Sequence, residues 1–198
     1  MRDHNIFVTI AIPFYNSECF LADAIQSVVN QTYINWELLL MDDNGTDGSR
    51  KIAEKFAAKD KRIRLVSDNE NHGLPSRLNE SVELAKGEIY VRMDDDIMVA
   101  DRVETQVEYL LEHPDVDVVG ASAMIIDDKN NIIRSSDMSG VSTGFIHPTV
   151  CGRTEWFRRN KYNEKCRRCQ DCELWLRTAG SSNFYNIERP LLFYREFG

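Results

Sequence analysis

Strand-like and helix-like segments alternate through the first half of this 198-residue chain, and that alternation limits the fold more than any other feature. Runs of branched and aromatic residues predict five strands, at 6–12, 36–41, 63–66, 89–93 and 116–122. Apolar residues at helical spacing predict helices between them, at 18–31, 47–58, 75–86 and 101–113. Four such alternations predict a parallel sheet with helices on both faces.

Three residues set predicted boundaries within this pattern. Pro13 should end the first strand, because proline cannot donate a hydrogen bond to a neighbouring strand. Asp47 should cap the N-terminus of the second helix, and Gly87 should stop the third.

The second half of the chain is less regular. Isoleucine pairs at 125–126 and 132–133 flank a polar turn and predict a hairpin. A loop rich in glycine, serine and threonine at 135–144 leads to His147. A short helix is expected at 170–179, followed by two closing strands at 184–187 and 191–195.

Length and composition narrow the class of protein. One domain is expected, with 42% hydrophobic and 28% charged residues, values typical of a globular chain. A net charge of −8 argues against nucleic-acid binding, which favours a basic face. The apolar stretch at 6–15 is half of the roughly 20 residues that a spanning helix needs. With no visible signal peptide and an odd cysteine count of five, the sequence predicts a reduced, soluble, cytoplasmic protein.

Acidic residues follow two of the predicted strands. Asp42 and Asp43 follow the second strand, and Asp94, Asp95 and Asp96 follow the fourth. Because parallel sheets bind ligands outside the carboxyl ends of their strands, we expect both clusters to share one cleft. Adjacent carboxylates repel one another, and Mg²⁺ or Mn²⁺ would relieve that repulsion. A solvated acidic turn explains the run of three equally well.

The order of the motifs resembles glycosyltransferase family 2, the large inverting group with the GT-A fold. The motifs that carry this resemblance are Pro-Phe-Tyr-Asn at 13–16, Asn-Gln-Thr-Tyr at 30–33, Asp-Asp at 42–43, Asn-His-Gly-Leu at 71–74 and Arg-Met-Asp-Asp-Asp at 92–96. The resemblance runs from about residue 8 to residue 195. It implies a Rossmann-like, mostly parallel sheet with a smaller mixed region on the acceptor side.

The resemblance implies a nucleotide-sugar donor, a UDP-sugar first among candidates, held by about residues 1–100. Pro13 and Tyr15 match the loop that packs on the base and ribose. Asp43 matches the carboxylate that reads the base, with Asp42 a close second. Arg77 lies near a position from which a basic side chain reaches the base or the phosphates.

The acidic run matches the family's Asp-X-Asp motif. On that match Asp94 and Asp95 contact the donor, and Asp94, Asp95 and Asp96 hold Mn²⁺ or Mg²⁺. The run is one residue shorter than the common family form, so the resemblance leaves open whether Asp95 or Asp96 is the main metal ligand.

The second half, about residues 101–198, should bind the acceptor and supply the catalytic base. Gln170-Asp171 followed by Leu-Trp-Leu-Arg at 174–177 matches the family's Glu-Asp motif, with glutamine where glutamate is usual. Asp171 falls on the general base; the alternative is an acidic residue stabilised by a helix N-terminus. His147 matches a loop that often lines the site, but a lone histidine is more often structural. Arg177 could orient the base or pack the helix.

Three cysteines at 166, 169 and 172 resemble part of a metal-ligand run, but free thiols are the preferred interpretation, since a fourth cysteine is missing.

The resemblance implies an inverting transferase that acts on a saccharide or lipid-linked acceptor in surface-polysaccharide synthesis, with a peripheral contact at the inner face of the membrane. Family members typically continue beyond the Tyr-Arg pair at 194–195, so a C-terminal segment is expected to be missing. A non-catalytic nucleotide-sugar-binding module remains an alternative. A haloacid-dehalogenase-like phosphatase is less favoured, because its Asp-X-Asp motif follows the first strand rather than the fourth.

Overall fold

The computed structural model describes residues 5–138, 147–166 and 168–196. The strands are β1 (Val8–Phe14), β2 (Trp36–Asp42), β3 (Ile63–Val66), β4 (Ile89–Arg92), β5 (Ile97–Met98), β6 (Val118–Ile126), β7 (Ile132–Ser136), β8 (Cys151–Arg153) and β9 (Phe184–Arg195). The helices are α1 (Leu21–Val29), α2 (Ser49–Ala57), α3 (Leu74–Leu84), α4 (Arg102–Glu112), α5 (Thr154–Arg159) and α6 (Gln170–Thr178). A short 3₁₀ turn covers His147–Thr149.

These strands form one sheet with the order β3-β2-β1-β4-β8-β6-β9-β5, and β7 pairs with β6 at its side. The first four strands in that order run parallel, as the alternation predicts. Strand β8 is antiparallel to both β4 and β6, whereas β9 runs parallel to β6. The result is a parallel N-terminal half joined to a mixed second half, which confirms the predicted α/β fold class.

Each face of the sheet carries its own core, because successive side chains of a strand point to opposite faces. On β2, Leu38 and Leu40 pack on one face, together with residues of α1, α2 and α4. Leu39 and Met41 pack on the other face, with residues of α3, α5 and α6. Helices therefore cover both faces, as predicted.

Pro13 lies inside β1 rather than after it, which corrects the predicted boundary. The pairing of β1 with β4 ends at Ala11 and Arg92, whereas its pairing with β2 continues through Pro13 to Phe14. The Ala11 carbonyl accepts the Met93 N–H, so Pro13, two residues on, turns its ring nitrogen to the same side. The strand tolerates the proline because the ladder on that side has already ended.

Two helix boundaries also differ from prediction. Helix α2 begins after Gly48, not Asp47, but the Asp47 carboxylate still accepts the Ser49 N–H at 3.0 Å. Helix α3 ends at Leu84, before Gly87 can act as its stop. A Cβ on Gly87 would lie 2.4 Å from the Thr9 backbone nitrogen, so this glycine serves close approach to β1 instead.

The closing region contains one strand where two were predicted. Strand β9 pairs with β6 through Ile187 and again from Pro190, with a register shift between them. The predicted gap at 188–190 is therefore a bulge within a continuous strand. The predicted hairpin of β6 and β7 is present, with Ile126 opposite Ile132. Strands β5 and β8 and helix α5 were not predicted.

None of the helices in the described ranges combines the length and the apolar character needed to cross a bilayer.

Candidate active site

A cavity of about 640 Å³ opens at the carboxyl ends of β1, β2 and β4. Its walls come from Pro13, Phe14, Tyr15, Ser17, Asp43, Asn44, Asn71, Gly73, Leu74, Arg77, Asp94 and Asp95. This is the edge at which parallel sheets bind ligands, and the volume lies within the range of small-molecule sites. One member of the first acidic cluster, Asp43, and two members of the second, Asp94 and Asp95, meet there.

The β1 wall of this cavity combines a buried proline with an exposed ring. Pro13 is buried in the sheet, while Tyr15 is 52% exposed. The following loop is fixed by Asn16, whose Oδ1 accepts the Thr46 N–H at 2.7 Å. Gly45 permits this contact, because a Cβ there would lie 2.8 Å from the Asn16 nitrogen. Tyr15 therefore presents a ring to the cavity from a fixed backbone.

The carboxylate of Asp43 is held in place by backbone and side-chain donors. It accepts the His72 N–H at 2.8 Å, the Gly73 N–H at 3.1 Å and the Arg77 Nε–H at 3.1 Å. These donors lie at the start of α3, so the end of β2 and the start of α3 are joined through one side chain. Asp43 therefore presents an oriented acceptor at the cavity wall.

Arg77 lines the cavity, and its guanidinium is paired with carboxylates. Besides Asp43, its guanidinium donates to Asp68 at 2.6 Å and to Glu80 at 2.8 Å. Burial alone would lower the pKa of Arg77, but these hydrogen bonds outweigh it and raise the pKa above its usual value. Arg77 stays charged, but its charge is already balanced by neighbouring acids.

Asp42 does not line the cavity, which differs from its predicted role as a second base-reading residue. It is 2% exposed, and its carboxylate accepts the Asn44 N–H at 3.0 Å and the Ser67 hydroxyl at 3.0 Å. The cause is local, since adjacent residues of an extended chain point to opposite sides. When Asp43 faces the cavity, Asp42 faces away.

The three aspartates after β4 point in three directions. Asp94 lies against Arg92, with both carboxylate oxygens 3.3 Å from guanidinium nitrogens. Asp95 lines the cavity and is hydrogen-bonded by the Ser17 hydroxyl. Asp96 is 3% exposed and accepts the Arg195 backbone N–H at 2.7 Å.

Burial raises the pKa values of two of these carboxyl groups. It raises the pKa of Asp96 to about 7, although the hydrogen bond from the Arg195 backbone N–H acts to lower it. Burial also raises the pKa of Asp95, and the Ser17 hydrogen bond opposes this shift. Asp96 departs from the predicted set of metal ligands because β5 starts at Ile97 and pairs with β9, which turns its carboxyl towards β9.

Asp94 and Asp95 alone among the three aspartates line the cavity, and they fit a Mg²⁺ or Mn²⁺ ion that takes its other ligands from substrate. Across the described ranges, no group of three or more His, Cys, Asp or Glu side chains is arranged to hold a metal by itself. The three cysteines are free thiols, and the Cys166 thiol donates to the Arg168 carbonyl.

Asp171 lies in the first turn of α6 and is 3% exposed. Its Oδ1 accepts a hydrogen bond from Arg92, and its Oδ2 accepts one from the Gln170 amide at 3.3 Å. Arg92 also donates to the Tyr162 hydroxyl at 3.4 Å. Burial would lower the pKa of Arg92, but Asp94, Tyr162 and Asp171 raise it well above its usual value.

A smaller cavity of about 320 Å³ shares Asn71, Gly73 and Leu74 with the main one. Glu164 and Gln170 line its far side, so its wall reaches the residue next to Asp171. The site thus extends from the strand ends to the start of α6.

The remaining predicted residues lie at the margins. His147 is in the 3₁₀ turn, and its side chain lies outside the described part, as do residues 139–146 of the predicted loop. Arg177 pairs with Glu173 at 2.8 Å and donates to the Lys161 carbonyl, a packing arrangement on the surface of α6.

Arg92 and Tyr162 were missed by the sequence analysis. A signal for Arg92 was present, because an arginine within the otherwise apolar run 89–93 needs partners when that run is buried.

The acidic run follows β4, the fourth strand along the chain, which does not match the phosphatase alternative.

A family profile described as Glycosyl transferase family 2 matches residues 9–182, most of the chain. The chain belongs to glycosyltransferase family 2. Among its relatives, the putative glycosyltransferase EpsE of Bacillus subtilis (strain 168) is 35% identical over 96% of this chain and 73% of its own length. The putative teichuronic acid biosynthesis glycosyltransferase TuaG of the same strain is 34% identical over 57% of this chain and 45% of its own.

Solved structures support the GT-A fold of this family 2 chain. TarS of S. aureus, in complex with UDP, superposes with a TM-score of 0.80 at 18% identity over 96% of this chain. The mannosyltransferase PcManGT of Pyrobaculum calidifontis, in complex with GDP-Man and Mn²⁺, gives a TM-score of 0.76 at 18% identity over 98% of this chain. This chain spans 61% and 57% of those two chains.

Proposed function

We propose that this protein transfers a sugar with inversion from a nucleoside-diphosphate sugar to a hydroxyl of a saccharide or lipid-linked acceptor. One observation carries the proposal: a single cavity joins Asp43 to Asp94 and Asp95, and Arg92 links Asp94 to Asp171. A UDP-sugar is the first candidate donor, since TarS binds UDP and UDP-GlcNAc. The name of TuaG, a putative teichuronic acid biosynthesis glycosyltransferase, supports a role in surface-polysaccharide synthesis.

The donor's nucleoside fits the wall formed by β1 and β2. The exposed Tyr15 ring offers a stacking surface, and aromatic stacking tolerates any base. Asp43 accepts an N–H of the base, a role that its fixed carboxylate suits. Arg77 positions Asp43 rather than contacting a phosphate, because carboxylates already occupy its donors.

The donor's diphosphate lies at the Asp94–Asp95 end of the cavity. The lining holds three aspartates, Asp43, Asp94 and Asp95, against the one balanced cation of Arg77. A dianionic group enters such a site only with added positive charge. Asp94 and Asp95 would hold that Mn²⁺ or Mg²⁺, which leaves Asp95 rather than Asp96 as the main ligand. When bound, the ion supplies charge that stabilises the departing diphosphate.

Asp171 acts as the general base of a single displacement. It takes the proton of the acceptor hydroxyl, whose oxygen forms a bond to the anomeric carbon. The bond from that carbon to the diphosphate oxygen breaks on the opposite face, and the electron pair leaves with the nucleoside diphosphate.

We further propose that residues 1–198 form one domain, with a donor half to about residue 100 and an acceptor half after it. A peripheral contact with the cytoplasmic face of a membrane belongs to the same proposal, since the acceptors of such enzymes are often lipid-linked.

Calorimetric titration with UDP, GDP, CDP and ADP, with and without Mn²⁺, tests the donor site. We expect one diphosphate to bind in the presence of Mn²⁺ and its affinity to fall in Asp95→Asn. Asp128→Asn, an exposed turn residue, is the control that removes the same charge elsewhere. Folded protein that binds none of the four diphosphates would contradict the proposal.

A further inference from the structure

We propose that Arg92 is a positioning residue for the transfer reaction, because its one buried guanidinium holds both the donor-side carboxylate Asp94 and the base Asp171. This inference rests on the proposed function, since it needs Asp171 to act as the base. Arg92 itself lines neither of the two joined cavities.

Arg92 is fixed by its backbone on both sides. As the last residue of β4, it donates its backbone N–H to the Val150 carbonyl at 3.0 Å, and its own carbonyl accepts the Arg102 guanidinium at 3.1 Å. Its side chain is 1% exposed. The guanidinium therefore projects from a rigid point of the sheet, whereas Asp94 lies in the loop after β4 and Asp171 lies in the first turn of α6.

The guanidinium fork divides its donors between the two carboxylates. Nε and Nη2 donate to the two oxygens of Asp94 at 3.3 Å, and Nη1 donates to Asp171 and to the Tyr162 hydroxyl. Two carboxylates that share one buried region repel each other, and the cation between them offsets that repulsion. A lysine would supply the charge but not the planar fork that addresses both groups.

The pairing also orients the carboxylate of the base. Oδ1 of Asp171 accepts the hydrogen bond from Arg92, and Oδ2 accepts one from the Gln170 amide, so the carboxylate is held from both of its oxygens. Arg92 thus acts through Asp171 and does not meet the substrate. Its loss should reduce turnover through misplacement of the base, while the nucleoside wall at Tyr15 and Asp43 stays intact.

Donor hydrolysis tests this role without a known acceptor. UDP-GlcNAc and GDP-mannose serve as probes, and release of the nucleoside diphosphate is measured. Water replaces the acceptor: its oxygen bonds to the anomeric carbon, Asp171 takes its proton, and the bond to the diphosphate breaks. The variants are Arg92→Lys, Arg92→Met, Asp171→Asn and the double variant Arg92→Met/Asp171→Asn. Arg153→Lys is the control, since the guanidinium of this β8 arginine donates to the backbone carbonyls of Val116, Leu110 and Pro114.

We expect Arg92→Met to lower kcat about 100-fold, the scale of a misplaced catalytic group, with donor KM changed less than about threefold. Arg92→Lys should recover part of that loss, and it covers the case in which the methionine variant fails to fold. The double variant should be no slower than Asp171→Asn alone, because residues that act as a unit are not additive.

Three results would overturn the inference while leaving the proposed function standing. In the first, Arg92→Lys has the same kcat as Arg153→Lys. In the second, the Arg92 variants change only the KM for the donor. In the third, the double variant is far slower than Asp171→Asn. If Asp171→Asn hydrolysed the donor as fast as the wild type, Asp171 would not be the base. The proposed role of Arg92 would then fail as well.

Discussion

Asp171 is nearly buried, and both of its carboxylate oxygens accept hydrogen bonds from neighbouring side chains. Such a carboxylate is held in one orientation, which a general base needs and a simple helix-capping residue does not. The two interpretations differ in whether residue 171 must be a carboxylate. An asparagine amide there could still accept a hydrogen bond, but it could not take a proton from an acceptor.

Replacement of Asp171 by asparagine separates these interpretations. Sugar transfer or donor hydrolysis should fall by about 10²–10⁴-fold, the contribution of a general base, while nucleoside diphosphate affinity stays within a few-fold. Glu173→Gln, two residues along on a partly exposed side of α6, is the matched control and should keep its rate. Equal rates in wild type and Asp171→Asn would favour a non-catalytic binding module.

Tyr15 offers a second prediction at the same scale. Because its ring is half exposed at the cavity wall, Tyr15→Ala should weaken nucleotide binding by about 1–3 kcal/mol, the value of stacking on one base. Tyr15→Phe keeps the ring and should bind as wild type does. Calorimetry on both variants decides the matter, with Tyr185→Ala, an exposed tyrosine outside the cavity, as the control. Equal binding by Tyr15→Ala and wild type would place the base elsewhere.

Elements of the site are held together by close backbone approach as well as by side chains. The segment after α3 passes β1 so closely that a Cβ on Gly87 would lie 2.4 Å from the Thr9 nitrogen and 2.7 Å from the Phe7 carbonyl oxygen. The Thr9 hydroxyl accepts the Gly87 N–H at 2.9 Å, which fixes the start of β4 beside β1. Because β4 leads to Arg92 and the acidic run, this contact sets the register of the donor site.

Gly87→Ala should therefore destabilise the fold, since the new methyl group meets backbone that cannot move aside. We expect a loss of about 1–3 kcal/mol in the free energy of unfolding, measured in urea. Gly180→Ala is the control, because a Cβ there has no neighbour within 4 Å. Equal stability of the two variants would contradict the close packing of β1 against this segment.

At the scale of the whole molecule, the sequence predicts the parallel half well because its elements follow one another in a regular pattern. The sequence alone predicts that Asp43, Asp94 and Asp95 lie close together, since each follows a parallel strand. The burial of Asp96 could not be predicted, because it depends on the pairing of β5 with β9, and these strands are almost a hundred residues apart. The role of Arg92 was hidden for the same reason: its partner Asp171 comes from a distant helix.

Burial of titratable groups across the molecule leads to a prediction about alkaline stability. Burial raises the pKa of the Cys151 thiol to about 12, with a smaller opposing effect of Arg102, and it raises the pKa of Tyr90 to about 12. Both groups stay protonated in the folded chain while they ionise in the unfolded chain from about pH 9 for cysteine and pH 10 for tyrosine. Protons are then bound more tightly by the folded state, so stability falls as pH rises.

Urea unfolding at pH 7, 9, 10 and 11 measures this effect. Between pH 9 and 11, Cys151 should lower the free energy of unfolding of the wild type by about 1.4 kcal/mol per pH unit. This is the effect of one proton that only the folded state retains. In Cys151→Ala that share of the slope should disappear, although the variant starts from a lower stability at pH 7 because of the cavity it creates. Cys19→Ala, at an exposed thiol, should keep the wild-type slope. A slope unchanged in Cys151→Ala would mean that the thiolate is tolerated inside the folded sheet, contrary to its full burial in β8.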